Sequence, residues 1–366
     1  MSGHPGEQYY SVVVNDDGDH GRWPVGRKPP TGWRFDSFHG TAGACERHVT
    51  ALAAVRYAPA RGAGAARDAD DRFAAVAERH PDATAIREGA AHLSYGELRA
   101  WVDGLAEALR AAGLRVGDGV VVHASGRAEA VAGLLAALRA GGVAAPARSD
   151  EAAYVLEAAS GLVRPPAVSA SIAPGSGVIV AAGDDAGVLL TQRNLVRLTQ
   201  LPPLSAVPAS RRSDDALSLA GAVRALLTGD ALQPVVATTE DPPDGVTGWQ
   251  DRGALWARAA TPDDDQTLDL VGFPEAGVLT FKVDKTGGHP LPGATLYALD
   301  ENLDPVRPGE AGRLHVGGPA VAAGYPDRPD LTVRRFLPDP FAGDGRRMFR
   351  TPLTVRQLPD GAWQPV

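Results

Sequence analysis

The chain of 366 residues contains one cysteine, Cys45, which excludes a disulfide framework and a zinc site built on thiolates. It has no apolar run near the ~18 residues that a membrane span needs, and no basic N-terminal patch followed by an apolar core. Long blocks of like charge are missing, and a formal net charge of −8 disfavours a nucleic-acid surface. These absences predict a cytoplasmic protein with no membrane anchor and no nucleic-acid partner.

The sequence also has no cluster of His, Cys, Asp or Glu with the spacing of metal ligands. It has no motif of the kind that surrounds a catalytic nucleophile. Ser125, Ser176 and Ser205 have neither a nucleophile-elbow motif nor a histidine and aspartate pattern nearby, so acyl transfer has no support. Scattered histidines without ligand spacing are interpreted as surface or core residues: His20, His39, His48, His123, His289 and His315. The sequence therefore predicts no metal, no cofactor and no catalytic residue.

What is present is the composition of a folded protein. Hydrophobic residues make up 44% of the chain and charged residues 22%, and the length suffices for two or three domains. Periodicity and end signals predict helices over 70–79, 93–112 and 128–139 and strands over 119–124 and 178–182. Such alternation indicates parallel strands with crossover helices, a layered α/β domain.

The C-terminal part of the chain has a different pattern. Short apolar runs divided by glycine and proline predict strands over 278–283, 295–299 and 313–316. We therefore predict an α/β fold whose C-terminal part is rich in mostly antiparallel strands.

The N-terminal segment spaces two tryptophans across a proline-rich turn. A short apolar strand over 12–14 ends at polar residues that favour a turn. The motif residues are Asn15, Trp23, Pro24, Arg27, Pro30, Gly32 and Trp33. We expect both indole rings to face one small pocket that receives another protein. The alternative is a small sheet-plus-helix domain in which the tryptophans only form the core.

This motif resembles the MbtH-like proteins, small companions of the adenylation domains of nonribosomal peptide synthetases. The resemblance covers about residues 1–58 and implies a sheet-plus-helix module, and residues 59–69 have the small-residue composition of a linker. The end of the module departs from the family, because Leu52-Ala53-Ala54 stands where the family usually has Trp-Thr-Asp.

Residues 70–366 carry landmarks of a second family in that family's order. The landmarks are the segments 93–98, 138–142, 187–196, 312–318, 324–325 and 328–336. They resemble the adenylate-forming domains of nonribosomal peptide synthetases, which use ATP to activate an amino acid and then load it on a carrier-protein thiol. The resemblance implies the N-terminal subdomain of that fold without the C-terminal lid subdomain, which in the family would follow beyond Val366.

The positions that should hold the phosphates of ATP have lost the family's residues. The family's loop is rich in Thr, Ser and Gly and ends in Pro-Lys-Gly, but here a shorter segment contains Asp184, Asp185, Ala186 and Gly187. Ala186 replaces the lysine, and two carboxylates stand beside it. Two unit charges about 4 Å apart interact by about 4 kcal/mol at an effective dielectric constant of about 20, so one misplaced aspartate can weaken ATP binding roughly a thousandfold.

Other contacts to the substrates are altered as well. Pro352 and Leu353 replace the family's Gly-Asp, which removes the carboxylate for the ribose hydroxyls. Only Glu275 could still meet a metal, and one carboxylate does not hold Mg²⁺ without a phosphate partner. Asp214 or Asp215 could take the place of the aspartate that pairs with the substrate amine, but we favour an N-cap for a helix over 216–227.

The segment that docks an MbtH-like module is retained. In the family, the two tryptophans hold a small side chain, usually alanine, after the Gly-Tyr landmark. The matching segment contains Leu331, Val333 and Phe336, with Val333 in place of the alanine. Two extra methyl groups either overpack the slot by about 1 to 3 kcal/mol or fill slack in it. The linker permits docking within one chain, on a second chain or on a separate synthetase, and the sequence leaves these arrangements open.

The resemblances imply a non-catalytic accessory or scaffold protein in nonribosomal peptide biosynthesis. Its expected partners are an adenylation or carrier domain of a synthetase or a tailoring enzyme, with an intramolecular contact between its two modules. One alternative is an amino-acid adenylating enzyme completed by a partner subunit. Another is a regulator that binds a small molecule or nucleotide in the remnant cleft.

Overall fold

The computed structural model describes most of the chain in separate segments. They are residues 8–55, 68–88, 91–145, 153–166, 172, 175–182, 186–201, 204–208, 214–230, 236–238, 255–260, 267–284 and 286–366. Most of the predicted linker, residues 59–67, lies outside these segments. Residues 8–55 are called the N-terminal module below, and the described residues from 68 onwards the main domain.

The N-terminal module is a three-stranded antiparallel sheet with one helix. Its elements are β1 (Tyr9–Asn15), β2 (His20–Pro24), β3 (Trp33–Thr41) and α1 (Ala42–Val55). Strand β1 is central, because it pairs with β2 on one side and β3 on the other. The predicted turn after β1 is confirmed: Asn15 Oδ1 accepts a hydrogen bond from the Asp19 N–H at 2.8 Å, and Gly18 has a φ of 83° that favours glycine.

The first part of the main domain is the α/β layer. Its elements are α2 (Asp68–Arg79), β4 (Thr84–Glu88), β5 (Ala91–Ser94), α3 (Tyr95–Ala111), β6 (Gly119–His123), α4 (Arg127–Ala140), β7 (Val143–Ala145), β8 (Tyr154–Glu157), β9 (Leu162–Arg164), β10 (Gly177–Ala182), β11 (Ala186–Thr191) and α5 (Gln192–Arg197). Six strands form a sheet in the order β11-β10-β7-β6-β8-β9, and β4 pairs with β5 separately. The four inner strands are parallel and both edge strands antiparallel, so the predicted parallel layer is confirmed in its centre.

The rest of the main domain is built on a large β-sheet. Its elements are β12 (Leu204–Pro208), α6 (Asp214–Thr228), β13 (Val236–Thr238), β14 (Leu255–Ala260), β15 (Thr267–Gly272), β16 (Phe281–Asp284), β17 (Gly287–Pro290), β18 (Thr295–Leu299), β19 (Gly312–Gly317), α7 (Pro329–Arg335), β20 (Phe336–Pro338), β21 (Arg347–Gln357) and β22 (Trp363–Pro365). Eleven strands join in this sheet, and among the described residues only β12 and β13 pair in parallel. The predicted β-rich, mostly antiparallel part is thereby confirmed.

Local signals explain the ends of the two long helices in the α/β layer. Ser94 Oγ accepts a hydrogen bond from the Glu97 N–H at 3.2 Å, and the Glu97 carboxylate accepts one from the Ser94 N–H at 2.9 Å. This is the capping box that the sequence predicts for α3. Helix α4 ends at Gly141, whose φ of 93° is the left-handed conformation typical of a helix C-terminus.

Several predicted element boundaries differ from the structure, two of them as follows. The strand predicted over 278–283 begins only at Phe281, because Val278 has a φ of 71° and follows a short 3₁₀ turn. Helix α6 begins at Asp214, so Asp214 and Asp215 lie in its first turn instead of preceding it as a cap.

One hydrophobic core joins the α/β layer to the large sheet. Buried side chains from both parts, including Val120, Leu190, Trp256, Phe281 and Phe349, belong to a single cluster. The main domain therefore forms one continuous support for its contacts with the N-terminal module. Within the described ranges, no helix combines the length and apolar character needed to cross a membrane.

Candidate functional site

The indole rings of Trp23 and Trp33 are buried where the N-terminal module meets the main domain. Trp23 is 2% exposed and Trp33 7% exposed. Together with Val13 they form the tryptophan cluster, whose other members come from the main domain: Leu299, Leu303, Leu337 and Met348. Trp23 Nε1 donates a hydrogen bond to the Lys28 carbonyl at 3.0 Å, which fixes the ring from within its own turn. Both rings belong to this one cluster, and side chains of the main domain pack against them.

Val333 is not a member of the tryptophan cluster, contrary to the prediction. It packs in a second cluster on the face formed by β1 and α1, with Val12, Cys45 and Val49. The reason is local: Val333 lies in α7, and the chain then continues as β20, which brings Leu337 to the indole rings. No sequence motif points to Leu337, although the helical pattern ends near it.

Leu331 and Phe336 pack against the core of the main domain. Phe336 is fully buried, and its ring centroid lies 5.5 Å from that of Tyr325 and 5.4 Å from that of Phe349. Leu331 is partly buried against the same core. These two predicted interaction residues therefore hold α7 and β20 from the main-domain side.

The two prolines of the motif shape the turn that spaces the tryptophans. Pro24 is buried and is the last residue of β2. The Pro30 carbonyl accepts a hydrogen bond from the Trp33 N–H at 3.0 Å. Because proline fixes its own φ, this turn holds the two rings at a defined spacing.

A largely buried carboxylate bridges the two parts of the chain. Glu46 of α1 accepts a hydrogen bond from Arg22 of β2 at 3.0 Å and one from Arg334 of α7 at 2.8 Å. The side chains of Arg22 and Glu46 are only 9% and 11% exposed. Charge-assisted hydrogen bonds are short and directional, so this bridge orients α1 on α7. No sequence motif points to Glu46, because its partners lie far from it in the chain.

Gly32 and Asn15 contact the same loop of the main domain, the one that precedes β21. Gly32 has a φ of 81°, and a Cβ at this position would lie 2.5 Å from the backbone nitrogen of Gly345. Asn15 Nδ2 donates a hydrogen bond to the Gly345 carbonyl at 3.1 Å. The close approach of two backbones explains why only glycine fits here.

Arg27 reaches the loop that follows β18. Its Nη2 lies 2.9 Å from Asp304 Oδ1, and its Nη1 donates a hydrogen bond to the Asn302 carbonyl. The guanidinium carbon also lies 5.5 Å from the ring centroid of Trp23. The predicted motif residues of the N-terminal module thus gather at one junction with the main domain or shape the turn that carries the tryptophans.

The predicted degenerate phosphate loop joins two antiparallel strands. Strands β10 and β11 are paired as far as Ala182 and Ala186, so only residues 183–185 connect them. Gly187 pairs with Ala181 in the same ladder. Asp184 and Asp185 lie outside the described residues.

Glu275, the one carboxylate predicted to be able to meet a metal, is engaged by two donors. It is 4% exposed, and its Oε1 accepts a hydrogen bond from the Tyr325 hydroxyl at 2.5 Å and one from Arg335 Nη1 at 3.4 Å. Burial and the Glu275 carboxylate raise the pKa of Tyr325, so the hydroxyl keeps its proton and donates. Among the described residues, no group of three His, Cys, Asp or Glu side chains is placed to hold a metal ion.

Pro352 lies within β21, where the family has the ribose-binding turn. The buried Thr351 Oγ1 donates a hydrogen bond to the Leu314 carbonyl at 3.0 Å and accepts one from the Leu353 N–H at 3.1 Å. Leu353 is fully buried. The position that should carry a carboxylate is therefore part of the hydrophobic core.

Comparisons with protein families match two regions of the chain. Residues 4–54 match the family model described as MbtH-like protein, and residues 73–174 match the one described as AMP-binding enzyme. These matches bear out both resemblances and their order in the chain.

Curated relatives match parts of the chain. Novobiocin biosynthesis protein H of Streptomyces niveus is 45% identical over 85 residues, 23% of this chain and 14% of the relative. One of the linear gramicidin synthase proteins of Brevibacillus parabrevis is 51% identical over 74 residues, 20% of this chain and 1% of the relative. The probable non-canonical nonribosomal peptide synthetase CymA of Salinispora arenicola is 33% identical over 186 residues, 49% of this chain and 2% of the relative. The chain thus spans only a small part of each relative's length.

Solved structures resemble the fold. The N-terminal subdomain of NpsA from Klebsiella oxytoca, in complex with 3-hydroxybenzoyl-AMSN, has a TM-score of 0.58 at 19% identity. The match covers 81% of this chain and 97% of that subdomain. The predicted N-terminal subdomain fold of adenylate-forming enzymes is confirmed.

Proposed function

We propose that this chain, in which an MbtH-like region precedes the fold of AMP-binding enzymes, is a non-catalytic accessory protein of nonribosomal peptide biosynthesis. It keeps an MbtH-like module docked on a pseudo-adenylation domain and acts as a scaffold in the cytoplasm. We assign residues 1–58 to the module, 59–69 to a linker and 70–366 to the adenylation-like domain.

The engagement of Glu275 is the observation that carries this proposal. A Mg²⁺ ion with a nucleotide that bound through Oε1 of Glu275 would have to displace Tyr325 and Arg335 from that oxygen. Hydrogen bonds to charged groups contribute about 1.5 to 3 kcal/mol each, so metal binding at this oxygen costs the free energy of the hydrogen bonds that it replaces. Removing the buried carboxylate from Arg335 also weakens an ion pair at 3.4 Å. Both effects oppose metal-assisted adenylation.

Two other features support the absence of catalysis. The three-residue connection between β10 and β11 carries no lysine, since residues 183–185 are Gly, Asp and Asp. The buried Leu353 offers no oxygen to a ribose hydroxyl. A nucleotide would therefore find no lysine in this connection and no carboxylate at position 353.

The printed names of the relatives support the pathway. Linear gramicidin synthase and novobiocin biosynthesis protein H are named for the products of antibiotic biosynthesis. We propose the same class of pathway for this chain. Its partners are an adenylation or carrier domain of a synthetase, or a tailoring enzyme that acts on a carrier-bound amino acid. These partners bind outside the tryptophan cluster, because side chains of the chain itself already fill that pocket.

Exchange of pyrophosphate into ATP tests the lack of catalysis. We expect the full chain, with mixtures of the protein amino acids, to give no exchange above a protein-free blank. An authentic adenylation domain assayed in parallel serves as the positive control. Exchange that depends on one amino acid would overturn the proposal.

The alternative is an amino-acid adenylating enzyme completed by a partner subunit. The retained Glu275 and the near-complete coverage of the NpsA subdomain favour it. The same exchange assay, repeated with the candidate synthetase and with Glu275→Gln, separates the two cases. If the chain is non-catalytic, Glu275→Gln leaves the exchange activity of the synthetase unchanged. If the chain and the synthetase form one active site together, the additional exchange activity that the chain brings is lost in the variant.

Binding to purified partner domains tests the scaffold role. We expect the full chain to retain an adenylation domain, a carrier protein or a tailoring enzyme from the assembly line encoded beside it. Arg307→Gln, which changes an exposed charge away from the tryptophan cluster, serves as a surface control. Failure to retain any of these domains would leave the scaffold role without a partner and contradict it.

A further inference from the structure

A cavity of about 510 Å³ lies at the junction of the N-terminal module and the main domain. The module contributes Tyr10 and Arg22 to its wall, and the main domain contributes Arg313, His315 and Arg350. It is distinct from the described part of the predicted nucleotide site, since Gly187, Glu275 and Pro352 do not line it. A ligand that fills this cavity contacts both the N-terminal module and the main domain.

The cavity concentrates positive charge, and one guanidinium lacks a partner among the described residues. Arg22 is paired with Glu46, and Arg313 donates a hydrogen bond to the Pro352 carbonyl. Arg350 is partly buried and makes no side-chain hydrogen bond or ion pair within the described part of the chain. Burial, and then the charge of Arg22, lower the pKa of Arg350. These cations repel one another, and an anion between them would relieve the repulsion.

His315 is also a residue of this wall, and its ring carries an unused hydrogen-bond acceptor. The side chain is 1% exposed, and its Nδ1 lies 3.0 Å from the Arg313 carbonyl. A carbonyl only accepts, so Nδ1 carries the proton and neutral Nε2 has a free lone pair. Burial lowers the pKa of His315 to about 4, which keeps the ring neutral near neutral pH. Nε2 is buried and has no hydrogen-bond partner among the described residues.

Two acidic residues lie at the exposed rim of the cavity, and they limit the charge of a ligand. Asp300 already accepts hydrogen bonds from the N–H groups of Asn302 and Asp304, so its carboxylate stabilises the turn in which it lies. Glu301 remains, and its charge raises the pKa of Arg350, which places it within electrostatic reach of that guanidinium. A compact anionic group fits between these charges better than an extended polyanion.

The wall therefore offers guanidinium donors together with one acceptor. An oxyanion satisfies the guanidinium groups, and a proton on that oxyanion satisfies Nε2 of His315. Inorganic phosphate and phosphate monoesters meet both requirements, whereas sulfate carries no proton near neutral pH. We propose that this cavity binds a protonated phosphate group, and that the bound group bridges the N-terminal module and the main domain. This site does not depend on the function proposed above.

Calorimetric titration of the full chain, at constant ionic strength with chloride as the balancing anion, tests the site. We expect phosphate to bind at least ~10-fold more tightly than sulfate, because sulfate leaves Nε2 facing a bare oxygen. Methyl phosphate serves as the monoester arm: binding by both phosphates assigns the site to the shared group, and binding by inorganic phosphate alone assigns it to the free ion. Equal binding of phosphate and sulfate, or no binding of phosphate at millimolar concentration, would overturn the proposal.

Variants locate the site within the cavity. Arg350→Gln should weaken phosphate binding by ~10-fold or more, since it removes the unpaired guanidinium. Arg356→Gln is the matched control, because Arg356 lies on the same strand, is exposed and does not line the cavity. His315→Gln should remove the preference for phosphate over sulfate, because an amide can either donate or accept. Unchanged binding by Arg350→Gln would contradict the proposal.

A variant with higher affinity for phosphate distinguishes a lost contact from a misfolded protein. Glu301→Gln removes the competing charge near Arg350, and we expect phosphate to bind more tightly to it than to the unmodified chain. Since a damaged fold does not improve binding, this result supports the site independently. Weaker or equal binding by Glu301→Gln would show that phosphate does not sit beside Arg350.

Discussion

Glu46 shows how much of the junction rests on one side chain. It lies between Arg22 and Arg334, and the pair with Arg22 is largely removed from water. A buried ion pair adds little stability compared with a hydrophobic replacement of both partners, but removal of one partner leaves the other charge uncompensated. The contribution of this carboxylate is therefore best measured by its loss.

We expect Glu46→Gln to lower the free energy of unfolding by about 3 kcal/mol, because two guanidinium groups lose their counter-charge. Chemical denaturation of the full chain measures this change. Asp16→Asn is the control: Asp16 also pairs with an arginine, Arg34, but the side chains are 94% and 63% exposed. The control should change stability by less than ~1 kcal/mol. Equal effects of the two variants would contradict the assignment of the bridge.

His315 makes the stability of the protein depend on pH. Burial lowers the pKa of His315 from 6.5 to about 4, so the unfolded chain binds a proton at a higher pH than the folded chain does. The folded state therefore loses stability relative to the unfolded state as pH falls from 6.5 towards 4. The loss approaches about 3 kcal/mol.

Denaturation in phosphate-free buffer at neutral and acidic pH checks this expectation. Other groups also titrate in this range, so the difference between the unmodified chain and His315→Gln isolates the histidine. We expect the variant to lose less stability on acidification than the unmodified chain does. Parallel losses in both proteins would show that His315 titrates normally in the folded state.

At the scale of the elements, the docking segment divides its side chains between two faces. Helix α7 presents Val333 to β1 and α1, whereas strand β20 presents Leu337 to the indole rings. The sequence identifies this segment, because it follows the recognisable Gly-Tyr landmark. It does not identify the side chain in the pocket, since that depends on where a helix of seven residues ends and a strand begins. Element ends are the least certain part of any assignment from sequence.

We expect Leu337→Ala to lower the free energy of unfolding by about 2 to 4 kcal/mol, because it leaves a cavity between the tryptophans and the main domain. Its tryptophan fluorescence should shift to longer wavelength as water reaches the indole rings. Val333→Ala removes a smaller side chain and should leave this emission unchanged, since it belongs to the other cluster. A red shift in Val333→Ala without one in Leu337→Ala would reverse the assignment.

Other elements follow from local signals that the sequence displays directly. Ser94 and Glu97 mark the start of α3, and Gly141 ends α4, because both signals act within one turn of the chain. The engagement of Glu275 by Tyr325 and Arg335 has no such signal. Those residues are separated by fifty and sixty positions, and their contact exists only once the large sheet has formed.

At the scale of the whole molecule, the two parts are joined by close contact of their backbones. Gly32 and Gly345 approach so nearly that no side chain fits between them. Tryptophan burial, the Glu46 bridge and this approach occupy different places on one junction. The sequence motif anticipates the tryptophans and Gly32, but docking within one chain depends on the geometry of the main domain and stays open at the sequence level.

Gly32→Ala should destabilise the junction more than a neighbouring glycine variant does. The added Cβ would lie 2.5 Å from Gly345, in addition to the strain of a left-handed φ of 81°. Gly26→Ala is the matched control, because Gly26 has a φ of 86° and no atom lies within 4 Å of an added Cβ. We expect the control to cost about 1 kcal/mol and Gly32→Ala at least twice as much, measured by thermal unfolding. Equal costs would show that the backbones are not in contact.

The paired strands β10 and β11 limit how the connection between them can change. Ala182 and Ala186 are register partners, so the ladder itself fixes how much chain is available at its open end. Exchanging side chains there alters polarity but adds no length. A loop able to wrap around a triphosphate would require inserted codons, an event rarer than a point mutation, while the sheet on either side kept its register. Stepwise substitution alone therefore does not lengthen this connection.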